Sequence, residues 1–292
     1  MNTKAPKLTW LGRRSLIFLL LLTASACSTK MAYNFLDWGI EWKVQRLVKL
    51  QGEQRVLTKI AIKDFHAWHR ATQLPQYADY LQQLQTRLNG EPISAKEIHD
   101  ETDKIQLLVD QSIEKVLPDA VEVLSMLSDK QVGELLGSVA EEREEYKDDY
   151  VDLTLQKRQS KYAKEFIKHT QDWLGPLSKT QKKQVDVWST ELEPFEQLNL
   201  QQQKIWEEKL AEILAKRTDR TTLLSGLQGL VFHRTDDWQP ELEQILDRNQ
   251  EITYTLIAEL LNGMSDRQRE RMNRKLDGYI KIFTELAAET KP

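Results

Sequence analysis

Three times the chain writes the same five-residue phrase: Leu127-Ser128-Asp129-Lys130-Gln131, Leu177-Ser178-Lys179-Thr180-Gln181 and Met264-Ser265-Asp266-Arg267-Gln268. An apolar residue, a Ser, two polar residues and a Gln start a helix for a physical reason. The Ser hydroxyl accepts from the N3 amide, the Gln side chain accepts from the Ser amide, and the leading apolar residue staples against the next turn. Ile93-Ser94-Ala95-Lys96-Glu97 is the same device with Glu, Leu50 to Gln54 is an echo without the Ser, and Leu153-Thr154 is one without the Gln. The intervals are uneven, which excludes a solenoid of fixed period. Only 11 Gly and 8 Pro in 292 residues, with frequent Leu, Gln, Glu and Lys, is a composition of long helices.

Between these starts the apolar spacing predicts helices around residues 129–147, 151–173, 179–192 and 195–216, with Gly175-Pro176 and Pro194 as breaks. Asp219 is expected to cap a helix through Val231, and Pro240 to Leu261 forms another, stopped by Asn262-Gly263. In the last helix Met272, Leu276, Tyr279, Ile280, Phe283, Leu286 and Ala287 lie on one stripe. Toward the amino terminus, one helix carries Leu36, Ile40 and Leu47. A second carries Leu57, Ile60, Phe65 and Trp68 and ends near Leu74-Pro75; Pro75 then begins a shorter helix to Leu88. A capped element from Ser94 is expected to stop at Pro118. No stretch after residue 30 alternates with period two. The expected fold is all-α, an array of antiparallel helices over residues 33–292, with two lobes meeting near 146–152 as one arrangement.

Before that body, Leu16 to Cys27 is an apolar run ending in Ala24-Ser25-Ala26-Cys27, preceded by Lys4, Lys7, Arg13 and Arg14. A basic stretch, an apolar stretch of about ten residues and small residues before a cleavage point make a secretory signal; a spanning helix needs about twenty. Cys27 is the only cysteine of the chain, and with the run before it the segment resembles a bacterial lipobox, a resemblance that implies cleavage before Cys27, its acylation and a membrane address. The expected organisation is a signal peptide over 1–26, a lipidated Cys27 with a short tether to residue 32, and the helical domain. The group attached would be a diacylglycerol on the Cys27 thiol and an acyl chain on its amino group, with no other cofactor. Ser28, in place of an Asp, points to the periplasmic face of the outer membrane, with the inner membrane as the alternative. Without residues 1–26 the chain holds 37 basic against 45 acidic residues, a formal charge of −8, which argues against nucleic acid as a partner.

Tyr33-Asn34-Phe35-Leu36-Asp37-Trp38 soon after the cysteine, then Trp42, then His69-Arg70 with Leu74-Pro75-Gln76-Tyr77-Ala78, resembles a family of Gram-negative lipoproteins classed as a domain of unknown function. That resemblance implies an envelope address and a helical fold, and it brings no activity. The Leu-Ser-x-x-Gln starts are similar to the Leu-Thr-x-x-Gln signature of small periplasmic helical chaperones, although a capping box explains them by itself.

The aromatics Tyr33, Phe35, Trp38 and Trp42 suit either the core of a first helix or contact with the lipid headgroup level. Arg70 beside His69, Pro75 and Tyr77 is chemistry that anchors protein partners; the plainer reading ties a helix end to a neighbouring turn. The candidate partner-binding residues are therefore Tyr33, Asn34, Asp37, Trp38, Trp42, His69, Arg70, Pro75 and Tyr77. His66 and His69 near Asp64 fall short of a metal site, which draws on three or four ligands. The run Glu141 to Asp149 lacks the Gly and spacing of a calcium loop and reads as a solvated face. No phosphate loop, nucleophile elbow or triad spacing is present, so no catalytic residue is expected. The expected function is a non-enzymatic binder of envelope proteins, held to the membrane by its anchor and acting as scaffold, assembly factor or chaperone-like factor. The alternative is a peptidoglycan hydrolase or an accessory of one, in which a single Glu in a cleft does the chemistry.

Overall fold

The computed structural model describes residues 26–232, 236 and 238–289, with side chains from Lys30. Helix covers nearly all of it, and no strand occurs among the described residues. The α-helices are α1 (Ala26–Asn34), α2 (Leu36–Leu47), α3 (Gly52–Trp68), α4 (Leu74–Leu88), α5 (Ala95–Ser125), α6 (Asp129–Tyr146), α7 (Leu155–Leu174), α8 (Lys179–Glu191), α9 (Glu196–Ala215), α10 (Arg220–Phe232), α11 (Pro240–Asn262) and α12 (Asp266–Ala288). Two short π-helical segments, His69–Gln73 and Lys147–Val151, join α3 to α4 and extend α6. None of the described helices is long and apolar enough to cross a membrane.

The cap chemistry read from the sequence is present. Ser94, Ser128, Ser178 and Ser265 each accept from the N3 amide and have a returning Glu or Gln. Thr154 accepts from the Lys157 amide, and Asp219 accepts from the amides of Thr221 and Thr222. The echo at Leu50 to Gln54 is a complete capping box after all, with the Gln51 side chain in the role of the missing Ser. The starts also meet in pairs, α3 with α6 and α8 with α12, through their capping Gln side chains. Between α7 and α8, Gly175 takes φ +78°, and a Cβ there would lie 3.0 Å from Arg271 Cδ.

Three expectations are corrected. The chain does not turn at Leu74-Pro75. Leu74 stays helical and fully buried, and the π segment absorbs the proline. Pro75 has no N–H to give, and beside it Thr72 Oγ1 donates to the Trp68 carbonyl at 2.8 Å and Gln76 Nε2 to the Thr72 carbonyl at 3.0 Å. Nor does α5 stop at Pro118. It runs 31 residues to Ser125, about 46 Å at 1.5 Å per residue. Leu117 and Val121, on either side of the proline, are buried against α9 and α10, and this packing outweighs a cost of about 3 kcal/mol. Finally, residues 28–32, expected as a short tether ahead of the helical domain, lie within α1.

The main core lies between α4 and α12, where Leu74, Tyr77 and Leu81 face Leu276, Tyr279, Phe283 and Leu286. Tyr33 of α1 closes one end of it, and Leu174 and Leu177 close a side. A second cluster joins Leu117 and Val121 of α5 to Leu210 and Leu214 of α9 and to Leu223, Leu227 and Leu230 of α10. A third joins Ala163, Val185, Trp188, Leu256 and Leu260. The first two clusters both draw on chain from before and after residues 146–152. Helix α5 contributes Leu108 to the first and Leu117 to the second, so it is a strut common to both.

Candidate functional site

Tyr33 is the last inward residue of α1, and it is 1 % exposed. Its ring lies 4.8 Å from the His66 ring and 5.9 Å from the His69 ring, with the Arg70 guanidinium 5.3 Å from its centre. The Tyr33 hydroxyl is hydrogen-bonded to His69 Nδ1 at 2.9 Å, and the Tyr77 hydroxyl to His69 Nε2 at 3.2 Å. The π segment makes this possible. The extra residue in the ladder turns His69 inward, between the α1 tyrosine and the α4 tyrosine, while Arg70 beside it stays at the rim. There Arg70 Nη2 donates to Asn34 Oδ1 at 2.6 Å, and Nη1 lies 3.7 Å from Glu289, the residue that follows α12. Lys30 completes the rim, 3.3 Å from Glu285 and 2.6 Å from Glu289.

Burial sets the electrostatics. It pushes the His69 imidazole down to about 4, with His66 adding to the effect. His66 is lowered by burial and by the Arg70 charge. Burial raises both phenols, Tyr33 and Tyr77. The histidine is therefore neutral at physiological pH, and both of its ring nitrogens are engaged by tyrosines. It has no free lone pair for a metal and no open side for proton transfer to a substrate. Its chemistry is that of a clasp: a polar link that holds α1 to α3, α4 and α12. No group of three metal-ligating side chains occurs among the described residues.

The structure thus divides the candidate residues. Tyr33, Asn34, His69, Arg70 and Tyr77 come together in this clasp, and Pro75 opens α4 beside it. Trp38 and Trp42 are exposed and take no part in it, and Asp37 is exposed at its edge, where its charge acts on His66. Cys27 falls in the first turn of α1, and its side chain lies outside the described residues, as do residues 1–25.

A second polar cluster surrounds the other π segment, and sequence reasoning missed it. Tyr146, Tyr150, Tyr162 and Phe195 form a ladder of near-parallel rings, with successive centres 5.5, 5.6 and 6.4 Å apart. Glu196 is buried at its end. It accepts from the Tyr162 hydroxyl at 2.8 Å and lies 3.1 Å from Arg158 Nε. Glu165 accepts from the Tyr150 hydroxyl at 3.1 Å, and burial raises its carboxyl above the usual range. It lines an open groove along α7 with Lys157, Ser160, Lys161 and Lys164. The run Glu141 to Asp149 is solvated on one side only, since Tyr146 is buried within it. The spacing of Tyr146 and Tyr150, four residues apart on one helical face, was the available signal.

A family of unknown function, DUF6279, matches residues 46–242. The chain belongs to that family. No curated protein and no solved structure matches it. The DUF6279 span contains His69, Tyr77, Glu165, Glu196 and the paired starts Gln54 and Gln131, whereas α1 and α12, which complete the clasp, lie outside it.

Proposed function

We propose that this protein is a lipoprotein: cut before Cys27, acylated on the thiol and the new amino group, and held on the periplasmic face of the outer membrane, where its helical body binds other envelope proteins as a scaffold, assembly factor or chaperone-like factor. The observation that carries the reading is the position of the one cysteine, directly after the apolar run and six residues before Tyr33. Six helical residues span about 9 Å, so acyl chains on Cys27 would be mounted close to the clasp. Three acyl chains at about 0.8 kcal/mol per buried methylene make such a mount effectively permanent. The test is the full chain with Cys27→Ser. It should incorporate no labelled palmitate and remain uncut, and palmitate in the variant would overturn the reading. Crosslinking in cells with the wild-type chain then identifies the partners.

Glu165 favours a second reading, the cell-wall hydrolase. A carboxyl raised by burial, hydrogen-bonded to a phenol and open to a groove, has the properties of a general acid. Muropeptides released from peptidoglycan by the wild-type protein and absent with Glu165→Gln would establish it, and no release would remove it.

A further inference from the structure

Helix α2 is apolar on two faces. Leu36 and Val44 pack against the body, while Trp38 and Trp42 stay more than half exposed. With Met31 of α1 and Phe35 at the junction of the two helices they form an exposed apolar set spaced four, three and four residues apart. The exposures are 63 % for Met31, 58 % for Phe35, 66 % for Trp38 and 52 % for Trp42. A helix apolar on both faces is ordinarily covered on both, and here one cover is the domain.

We infer that the other cover is a lipid bilayer, with α1 and α2 lying in its interface and the stripe seated at the headgroup level. Three observations favour lipid over a protein partner. The stripe begins four residues after Cys27, the residue on which the lipoprotein reading places the acyl chains. Its residue types are those of an interface, two Trp with a Phe and a Met, and a Trp seats its indole ring at the headgroup boundary. Arg46 lies with its guanidinium 5.0 Å from the Trp42 ring centre, so a cation for lipid phosphate accompanies the aromatic. The inner face of the same segment is tied down by Tyr33 to His69, Arg70 to Asn34, and Lys30 to Glu285 and Glu289, so a bilayer contact would fix the orientation of the whole domain. The inference extends the lipoprotein reading, which supplies the anchor, and the two are separable by experiment.

The full chain, in its processed form, is mixed with vesicles of phosphatidylethanolamine and phosphatidylglycerol containing a phosphatidylcholine brominated on its acyl chains. The same preparation is assayed for labelled palmitate. Wild type should show bromine quenching of tryptophan fluorescence, and Trp38→Phe with Trp42→Phe should lose it while melting as wild type does, because both rings are exposed. Equal quenching in wild type and variant, or none in either, overturns the bilayer assignment. A dimer that Trp38→Ser with Trp42→Ser converts to monomer, with no quenching, also overturns it and gives the face to a second copy. Quenching without palmitate supports the stripe and removes the acyl anchor; palmitate without quenching does the reverse.

Discussion

Gln54 and Gln131 exchange hydrogen bonds: Gln54 Nε2 donates to Gln131 Oε1 at 3.0 Å, and Gln131 Nε2 donates back to Gln54 Oε1 at 2.7 Å. Each oxygen also accepts from the backbone amide of its own N-cap residue, Gln51 or Ser128. Each amide nitrogen donates as well to a backbone carbonyl across the junction, Gln54 to Met126 and Gln131 to Lys49. Both side chains are buried with their hydrogen-bonding capacity used. Gln181 and Gln268 repeat the arrangement at 3.2 and 3.0 Å.

Replacing one member should therefore cost more than a cap. Gln131→Ala removes the return bond to Ser128, strips Gln54 of one of its two partners at each amide atom and takes the Gln131 donor from the Lys49 carbonyl, a loss of about 2–4 kcal/mol. Gln54→Ala should cost a similar amount. The double variant should fall short of the sum by at least about 1 kcal/mol, because the second change removes a group that has already lost partners to the first. Urea denaturation of the four proteins measures the coupling, and strict additivity would reduce the pair to two independent caps.

How much of this was legible in the sequence depends on the range of each interaction. The starts at Ser128, Ser178 and Ser265 were readable because a capping box closes within four residues. Their pairing was not, since the same Gln amide that caps locally also reaches a partner 77 or 87 residues away. Gln51 disguised the start of α3 because only its place in the box, and not its residue type, marks it as a cap. The proline at 118 was misread for the opposite reason: its local cost is real, and distant packing by Leu117 and Val121 exceeds it. At the candidate site the residue set around His69 was readable as a cluster, but its inward turn depends on a π segment that leaves no mark in the sequence. The outward turn of Trp38 and Trp42 was likewise open, since helical spacing alone does not say which of two apolar faces meets the body.

Stability should fall with mild acid through His69. Burial holds its folded imidazole near 4, while the unfolded chain titrates near 6.5, so the unfolded state takes up the proton first. The contribution is fully present above about 6.5 and is lost progressively as pH falls toward about 4, roughly 3 kcal/mol in all. His66 is shifted in the same direction. Glu97, held at about 2 by the Ser94 amide and Arg87, adds its own loss only in the lower window where unfolded carboxyls protonate, near 4.3. Denaturant midpoints at pH 7 and pH 5 should therefore differ in wild type and differ less in His69→Gln. An unchanged difference would mean that the imidazole does not titrate in the unfolding reaction.

The pair of Glu196 and Arg158 offers a contrast between breaking a buried charge pair and removing it. Glu196→Gln keeps an acceptor for Tyr162 but leaves the Arg158 guanidinium uncompensated in a site where Glu196 is 3 % exposed. The expected cost is about 3–5 kcal/mol. Changing both residues to Met should recover much of that loss, since the desolvation of both ions disappears with them. Thermal unfolding distinguishes the outcomes, and a double variant worse than either single one would assign Arg158 a further role through its bond to the Tyr150 carbonyl.

Lys30 and Glu285 are 255 residues apart in sequence and in contact in space. During synthesis α1 emerges first and α12 last, so the helix that carries Cys27 can meet His69 and Arg70 early but lacks the α12 part of its docking surface until the end of the chain has been made. Closing so long a loop adds little to the equilibrium cost, which grows only with the logarithm of its length, but it places the event late in folding. A chain truncated before residue 266 would keep Tyr33, His69 and Tyr77 of the clasp while losing the ion pairs that Lys30 makes with Glu285 and Glu289.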